Sequence, residues 1–150
     1  MNGFRCCVAV VVLLLAAATP VLGQPSPPAG RIKVASGSAF IVRQGRSIPA
    51  HIGQLVFEGD VFRTAADGHV GVTLNDDTRV SVGPGSEIRL DRFLYSPAEG
   101  RLGFVLKIVR GIVVYVSGRI AKLSPDSIRL ETPSAIVGVR GTRMAISVMP

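Results

Sequence analysis

From Gly59 to Ser86 a turn-forming group returns about every 8 to 10 residues, and each interval holds one short run of alternating apolar residues. Glu58-Gly59-Asp60, Asp67-Gly68, Asn75-Asp76-Asp77 and Gly83-Pro84-Gly85-Ser86 are the turns. A chain punctuated this often has no room for helices, so the spacing predicts short strands arranged as a meander or as stacked rungs. His69 to Leu74 is the clearest case: Val70, Val72 and Leu74 fall on one face, and His69, Gly71 and Thr73 on the other. Val80 and Val82 continue the buried set after the Asn75 to Asp77 turn, with Arg79 pointing away.

The pattern extends on both sides. Ile32 to Val34, Ala39 to Val42, Ser47 to Ala50, Val56-Phe57, Val61 to Thr64 and Glu87 to Leu90 are expected strands, with Gly45 at a reversal. Phe104 to Val109 and Ile112 to Val116 flank Gly111 and are rich in β-branched residues, as expected of central strands buried on both faces; a helix across them is the alternative. Asp91 to Gly103 is polar and irregular and is expected to be a long hairpin loop or lid. Ser124-Pro125-Asp126 turns the chain into Ser127 to Glu131, and Met144 to Val148 is the last strand. The fold class expected is all-β, a single domain of short strands forming a β-sandwich or a β-solenoid-like stack.

Ahead of this body, Arg5 precedes an unbroken apolar run from Val8 to Ala18, followed by small residues and Pro20. The run is shorter than the roughly 20 apolar residues that span a bilayer, so it is expected to be a cleavable secretory signal, residues 1–23, with the mature chain starting at Gln24. A Pro-rich leader over 24–36 and the β domain over 37–150 complete the expected organisation. No integral membrane span is expected, and the location expected is periplasmic or secreted. Cys6 and Cys7 both lie upstream of the apolar run, so cleavage would leave a domain without thiols, disulfides or cysteine-ligated zinc.

Of 17 Lys and Arg, Arg5 lies in the signal; the rest against 10 Asp and Glu give the mature domain a net charge of about +6. That balance suits an anionic partner such as headgroups, acidic glycans or an acidic protein face. Nucleic acid is not expected, because aromatic residues are few and Trp is absent. The sequence lacks a nucleophile elbow, a zinc-binding helix motif and a phosphate loop, and His51 and His69 stand apart, so neither an enzyme nor a cofactor is expected. Arg89, Arg92 and Arg101 around the polar loop are candidates for contact with an anionic glycan or envelope polymer. Carboxylates such as Glu58 and Asp60 would have to converge in a cleft for hydrolysis. Near the end, Gly138 and Gly141 flank Arg140; they allow a bulge or close approach, and Arg140 is expected to fold inward onto Asp60 or Asp76, an exposed anion contact being the alternative.

Three stretches together resemble the FecR-type domain: Gly53 to Thr64 with Gly59-Asp60, Gly71 to Val82 with Asp77-Thr78, and Thr132-Pro133-x-Ala135 leading into Gly138-Val139-Arg140-Gly141-Thr142. The likeness covers about residues 37 to 148. It implies a periplasmic, all-β, non-enzymatic module in which Gly59, Asp60, Thr64, Asp77, Thr132, Pro133, Gly138, Arg140, Gly141 and Thr142 are motif residues with structural roles. In the regulators that name the family, the domain is joined through a membrane helix to a cytoplasmic anti-sigma segment and receives its signal by protein contact. Neither segment is expected here, which leaves a stand-alone module whose partner is another envelope protein.

Overall fold

The computed structural model describes Gly23 and residues 25–141 and 143–150; the expected signal run, both cysteines, Gln24 and Thr142 lie outside the described residues. In chain order the strands are β1 (Gly30–Ser36), β2 (Ala39–Arg43), β3 (Arg46–Pro49), β4 (Leu55–Val56), β5 (Val61–Thr64), β6 (His69–Leu74), β7 (Arg79–Val82), β8 (Glu87–Ser96) and β9 (Arg101–Val116). A short helix, α1 (Arg119–Leu123), precedes β10 (Ile128–Glu131), β11 (Ile136–Gly138) and β12 (Arg143–Val148). The all-β single domain expected from the sequence is what the chain forms. Its first strand begins at Gly30, so only residues before it are leader, and the body starts earlier than Gly37.

All the strands belong to one curled sheet, because β9 is long enough to serve two halves. Arg101–Arg110 pairs with β8, and beyond it lie β5, β2 and β3; β10 and then β11 join its other edge. Gly111–Val116 pairs with β7 on one edge, leading to β6, β1 and β4, and with β12 on the other. The sheet thus has a β2 half and a β1 half. Among the described residues only β9 and β10 run parallel. This antiparallel pairing makes a curled sheet around one core, rather than a stack of parallel rungs.

The change of half occurs at Gly111. Phe104, Leu106 and Ile108 are buried on the first part of β9, but Val113 and Tyr115 are buried on the second, so the alternation slips by one residue at the bend. Gly111 has φ +96°, and a Cβ there would overlap Ser86 Oγ and Ser86 Cα. The polar groups of the bend are paired inside the protein. Ile112 N–H donates to Ser86 Oγ at 3.0 Å, Gly83 N–H donates to the Ile112 carbonyl at 2.8 Å, and Thr64 Oγ1 donates to the Gly83 carbonyl at 2.7 Å while accepting from Ser86 N–H at 3.0 Å. Thr64 and Ser86 are both buried.

Two expectations for this region are corrected. The run Phe104 to Val109 and Ile112 to Val116 is one strand buried on a single face, with Val109 and Ile112 exposed, and not two strands buried on both. Asp91 to Gly103 is mostly hairpin, since β8 and β9 stay paired out to Ser96 and Arg101 and only Pro97–Gly100 forms the tip. A register shift between Leu90 and Arg92 breaks the alternation there, which hides the strand from a reading by period.

The core draws on both halves, with Ile32, Val70, Val80 and Tyr115 from one and Ile41, Ile88, Leu90 and Leu106 from the other. Tyr115 packs against Phe104, ring centres 5.6 Å apart. Its hydroxyl is buried without a hydrogen-bond partner among the described residues. Burial first, and then the Asp76 carboxylate, push the Tyr115 pKa up to about 12, against a smaller opposing effect of Thr78, whose hydroxyl is committed to Asp76 at 2.7 Å. The unfolded chain therefore loses this proton near pH 10 while the folded chain retains it, so the contribution is complete below pH 10 and is lost as pH rises toward 12. Urea unfolding at pH 8 and pH 11 should show the wild type losing about 1.4 kcal/mol more than Tyr115→Phe over that interval. Equal losses in the two proteins would contradict the burial of an un-ionised hydroxyl at this position.

Candidate functional site

Two aspartates on separate turns organise the polar interior. Asp60 follows the Gly59 turn and is 1% exposed. Its partner is Arg43, at the end of β2: Nε donates to Oδ1 at 2.8 Å and Nη2 to Oδ2 at 2.7 Å, a two-pronged pair, while Phe57 N–H donates to Oδ2 at 2.9 Å. Arg43 also donates to the Leu55 carbonyl at 3.0 Å and lies over the Phe57 ring, 4.6 Å from its centre. The hydrogen bond to Asp60 holds the guanidinium pKa above its ordinary value, outweighing the opposite effect of burial. An open pocket of about 410 Å³ lies over this pair, lined by Arg43, Gln44, Phe57 and Glu58 together with Pro25 and Ser26 of the leader.

Asp76 is the second. It is fully buried and caps its own turn, accepting from Thr78 N–H at 3.1 Å and from Thr78 Oγ1, and it also accepts from Ile120 N–H at 3.3 Å. The turn therefore anchors α1. Gly118 fits against it so tightly that a Cβ would overlap Asp76 O and Thr78 N. Asp77 sits at φ +68° and pairs with Arg119 at 3.1 Å.

Asp60 and Glu58, the candidate hydrolytic carboxylates, are structural acceptors: Asp60 is held by Arg43, and exposed Glu58 accepts from Phe93 N–H at 3.0 Å. The candidate arginines for an anionic polymer do not form a cluster. Arg89 pairs with Asp91, Arg101 pairs with Glu99, and Arg92 lies against Gly103. Along β8 and β9 the pairs Arg89↔Lys107 and Ser96↔Arg101 stand at opposite ends of the hairpin, about 20 Å apart.

The closing segment also differs from expectation. Thr132 and Ala135 close a turn, with Thr132 Oγ1 accepting from Ala135 N–H at 3.1 Å, and Pro133 is part of it. Arg140 is exposed and does not turn inward; the side chain that does is Val139, 2% exposed, and Arg43 occupies the place beside Asp60. Gly138 and Gly141 are exposed, and among the described residues a Cβ at either would meet nothing within 4 Å, so no close approach requires them. Gly141 instead offers its carbonyl to Ser117 Oγ at 2.8 Å. Arg43 has no motif around it, and only the hairpin pairing of β2 with β5 could have revealed it.

These placements separate the two arginines by experiment. Asp60→Ala should cost about 2–4 kcal/mol in urea unfolding, because it strands the Arg43 guanidinium and the Phe57 amide. Arg140→Ala should stay within about 0.5 kcal/mol of the wild type. The reverse ranking would put Arg140, and not Arg43, in the interior.

The FecR family model, described as FecR protein, matches residues 60–149, beginning at the buried Asp60 and running through β12. No curated protein and no solved structure matches the chain. Strands β1 to β4, including Arg43, lie ahead of the matched stretch and complete both halves of the sheet. With more than half of its length matched, the chain belongs to the FecR family.

Proposed function

We propose that this FecR-family chain is an exported, non-enzymatic protein-interaction module, which receives an extended segment of another envelope protein along the open edge of β12. The family is a regulatory and signalling one, which supports a role in recognition. The observation that carries the reading is the state of the sheet edges. β12 pairs with β9 over six residues in unbroken register, Arg143↔Val116 to Val148↔Gly111, and among the described residues no strand joins its outer edge. Arg143 is its only charged residue, and it contains no proline. Edge strands that are long, regular and nearly uncharged are unusual unless something pairs with them, because their free N–H and C=O groups invite another strand.

The other edges are poorer acceptors. β4 has two residues and β11 three, and β3 ends in Pro49 and carries Arg46. Export is the reading of the apolar run Val8 to Ala18, and the envelope is where such a module would meet its partner.

Amide hydrogen exchange tests the proposal on a partner captured from the envelope fraction. In the free protein, alternate amides of β12, those facing away from β9, should exchange quickly while their neighbours are protected. In the complex the fast set should become protected. A captured partner that leaves those amides exchanging as before would place its binding elsewhere.

A further inference from the structure

The two halves of the sheet both carry basic residues but differ in their acidic ones. The strands of the β1 half, Gly30–Ser36, Leu55–Val56, His69–Leu74, Arg79–Val82, the Gly111–Val116 part of β9 and Arg143–Val148, contain no Asp or Glu. Strands of the β2 half carry Glu87, Asp91 and Glu131. Because Ile32, Val72, Val80 and Tyr115 point into the core, the residues alternating with them form the outer face.

The register aligns that outer face into rows. Arg31 pairs with Thr73, Thr73 with Arg79, Arg79 with Val116, and Val116 with Arg143. Three arginines distant in sequence thus stand in one line across five strands, two strands or about 10 Å apart. All three are exposed, and none has an acidic partner among the described residues. The nearest acid in the chain to Arg79, Asp77, is engaged by Arg119. The next row, Val34, Gly71, Ser81, Val114 and Ala145, is made of small and aliphatic side chains. Val34 is 53% exposed, and Ile112, further along the same face, is 51% exposed. At the Arg31 end, its guanidinium reaches the Gly53 carbonyl at 3.3 Å, and Ile52 beside that glycine is 68% exposed.

We propose that this face docks on a bilayer bearing anionic phospholipid headgroups, with Arg31, Arg79 and Arg143 contacting phosphates. Each guanidinium offers a planar fork that matches a phosphate, and a sheet presents the three in one surface, as a bilayer presents its headgroups. The aliphatic residues beside the row favour a bilayer over a soluble polyanion, since only a bilayer offers those side chains an apolar boundary to enter. A glycan would be expected to meet a platform of Phe, Tyr or Trp, and the outer face of these strands has none: Tyr115, the one such residue in them, points inward, and the exposed ring of His69 stands alone.

Vesicle co-sedimentation of the chain as recovered from its expressing host tests this. Vesicles containing phosphatidylglycerol should retain the protein at low salt and release it at high salt, and vesicles of phosphatidylcholine alone should not retain it. Arg79→Gln with Arg143→Gln should weaken partitioning about thirtyfold, with unchanged thermal unfolding. Arg89→Gln with Arg92→Gln removes the same charge from the β2 half and should bind nearly as the wild type does. Equal losses in the two double variants would mean that net charge, and not the row, does the binding, and would overturn the proposal. So would equal retention on both kinds of vesicle. Displacement by heparin at matched charge would assign the row to a soluble polyanion and overturn the bilayer as its occupant.

Discussion

The bend of β9 at Gly111 is the constraint on which the rest of the sheet depends. One edge of this strand holds both β7 and β8, which are consecutive in the chain, so the link Gly83–Ser86 has to turn where β9 turns. Bending a strand interior exposes backbone groups that would otherwise sit in the ladder, and here they are buried. Ser86, in that link, and Thr64, at the end of β5, supply the missing partners, which ties β5, β7, β8 and β9 at one corner. The glycine is required twice over, by its positive φ and by the Ser86 side chain that occupies the space of a Cβ. Without the bend, β12 would not continue the β1 half and the arginine row would not cross five strands.

Asp60 and Asp76 perform a related task at two other turns. Each is a buried carboxylate that gathers donors from separate elements, Asp60 from β2 and the Phe57 turn, Asp76 from its own turn and α1. In a chain without disulfides among its described residues, such fully partnered polar groups fix which turn meets which element, because leaving any donor unpaired in the interior is costly. The regularity of the turns in the sequence is thus the visible trace of a polar framework inside the fold.

That trace explains what could be read in advance. The period-two run His69 to Leu74, the turns at Asp67-Gly68 and Asn75 to Asp77, and the all-β class follow from local spacing, and local spacing is what short antiparallel strands obey. The long β8 and β9 hairpin was hidden because the register shift near Asp91 and the slip at Gly111 both break the alternation that would announce it. Arg140 stands out in the sequence because glycines flank it, whereas the arginine that pairs with Asp60 comes from β2 and carries no local mark. The row of Arg31, Arg79 and Arg143 is a product of register alone, as their numbers in the chain show. Where a feature depends on how distant strands align, periodicity within one segment does not reveal it.

The two surfaces given functional meaning, the β12 edge and the basic outer face, both belong to the β1 half, and both exist only if β9 is held bent as described. Native-state hydrogen exchange at the Ile112 amide measures that most directly, since this amide donates to the buried Ser86 hydroxyl at the bend itself. Ile112 should exchange only through global unfolding, with the same free energy as the core amides of Ile88 and Leu106. Exchange at Ile112 with a much smaller free energy, while those core amides stay protected, would show that the corner opens by itself and would contradict its role in holding the sheet together.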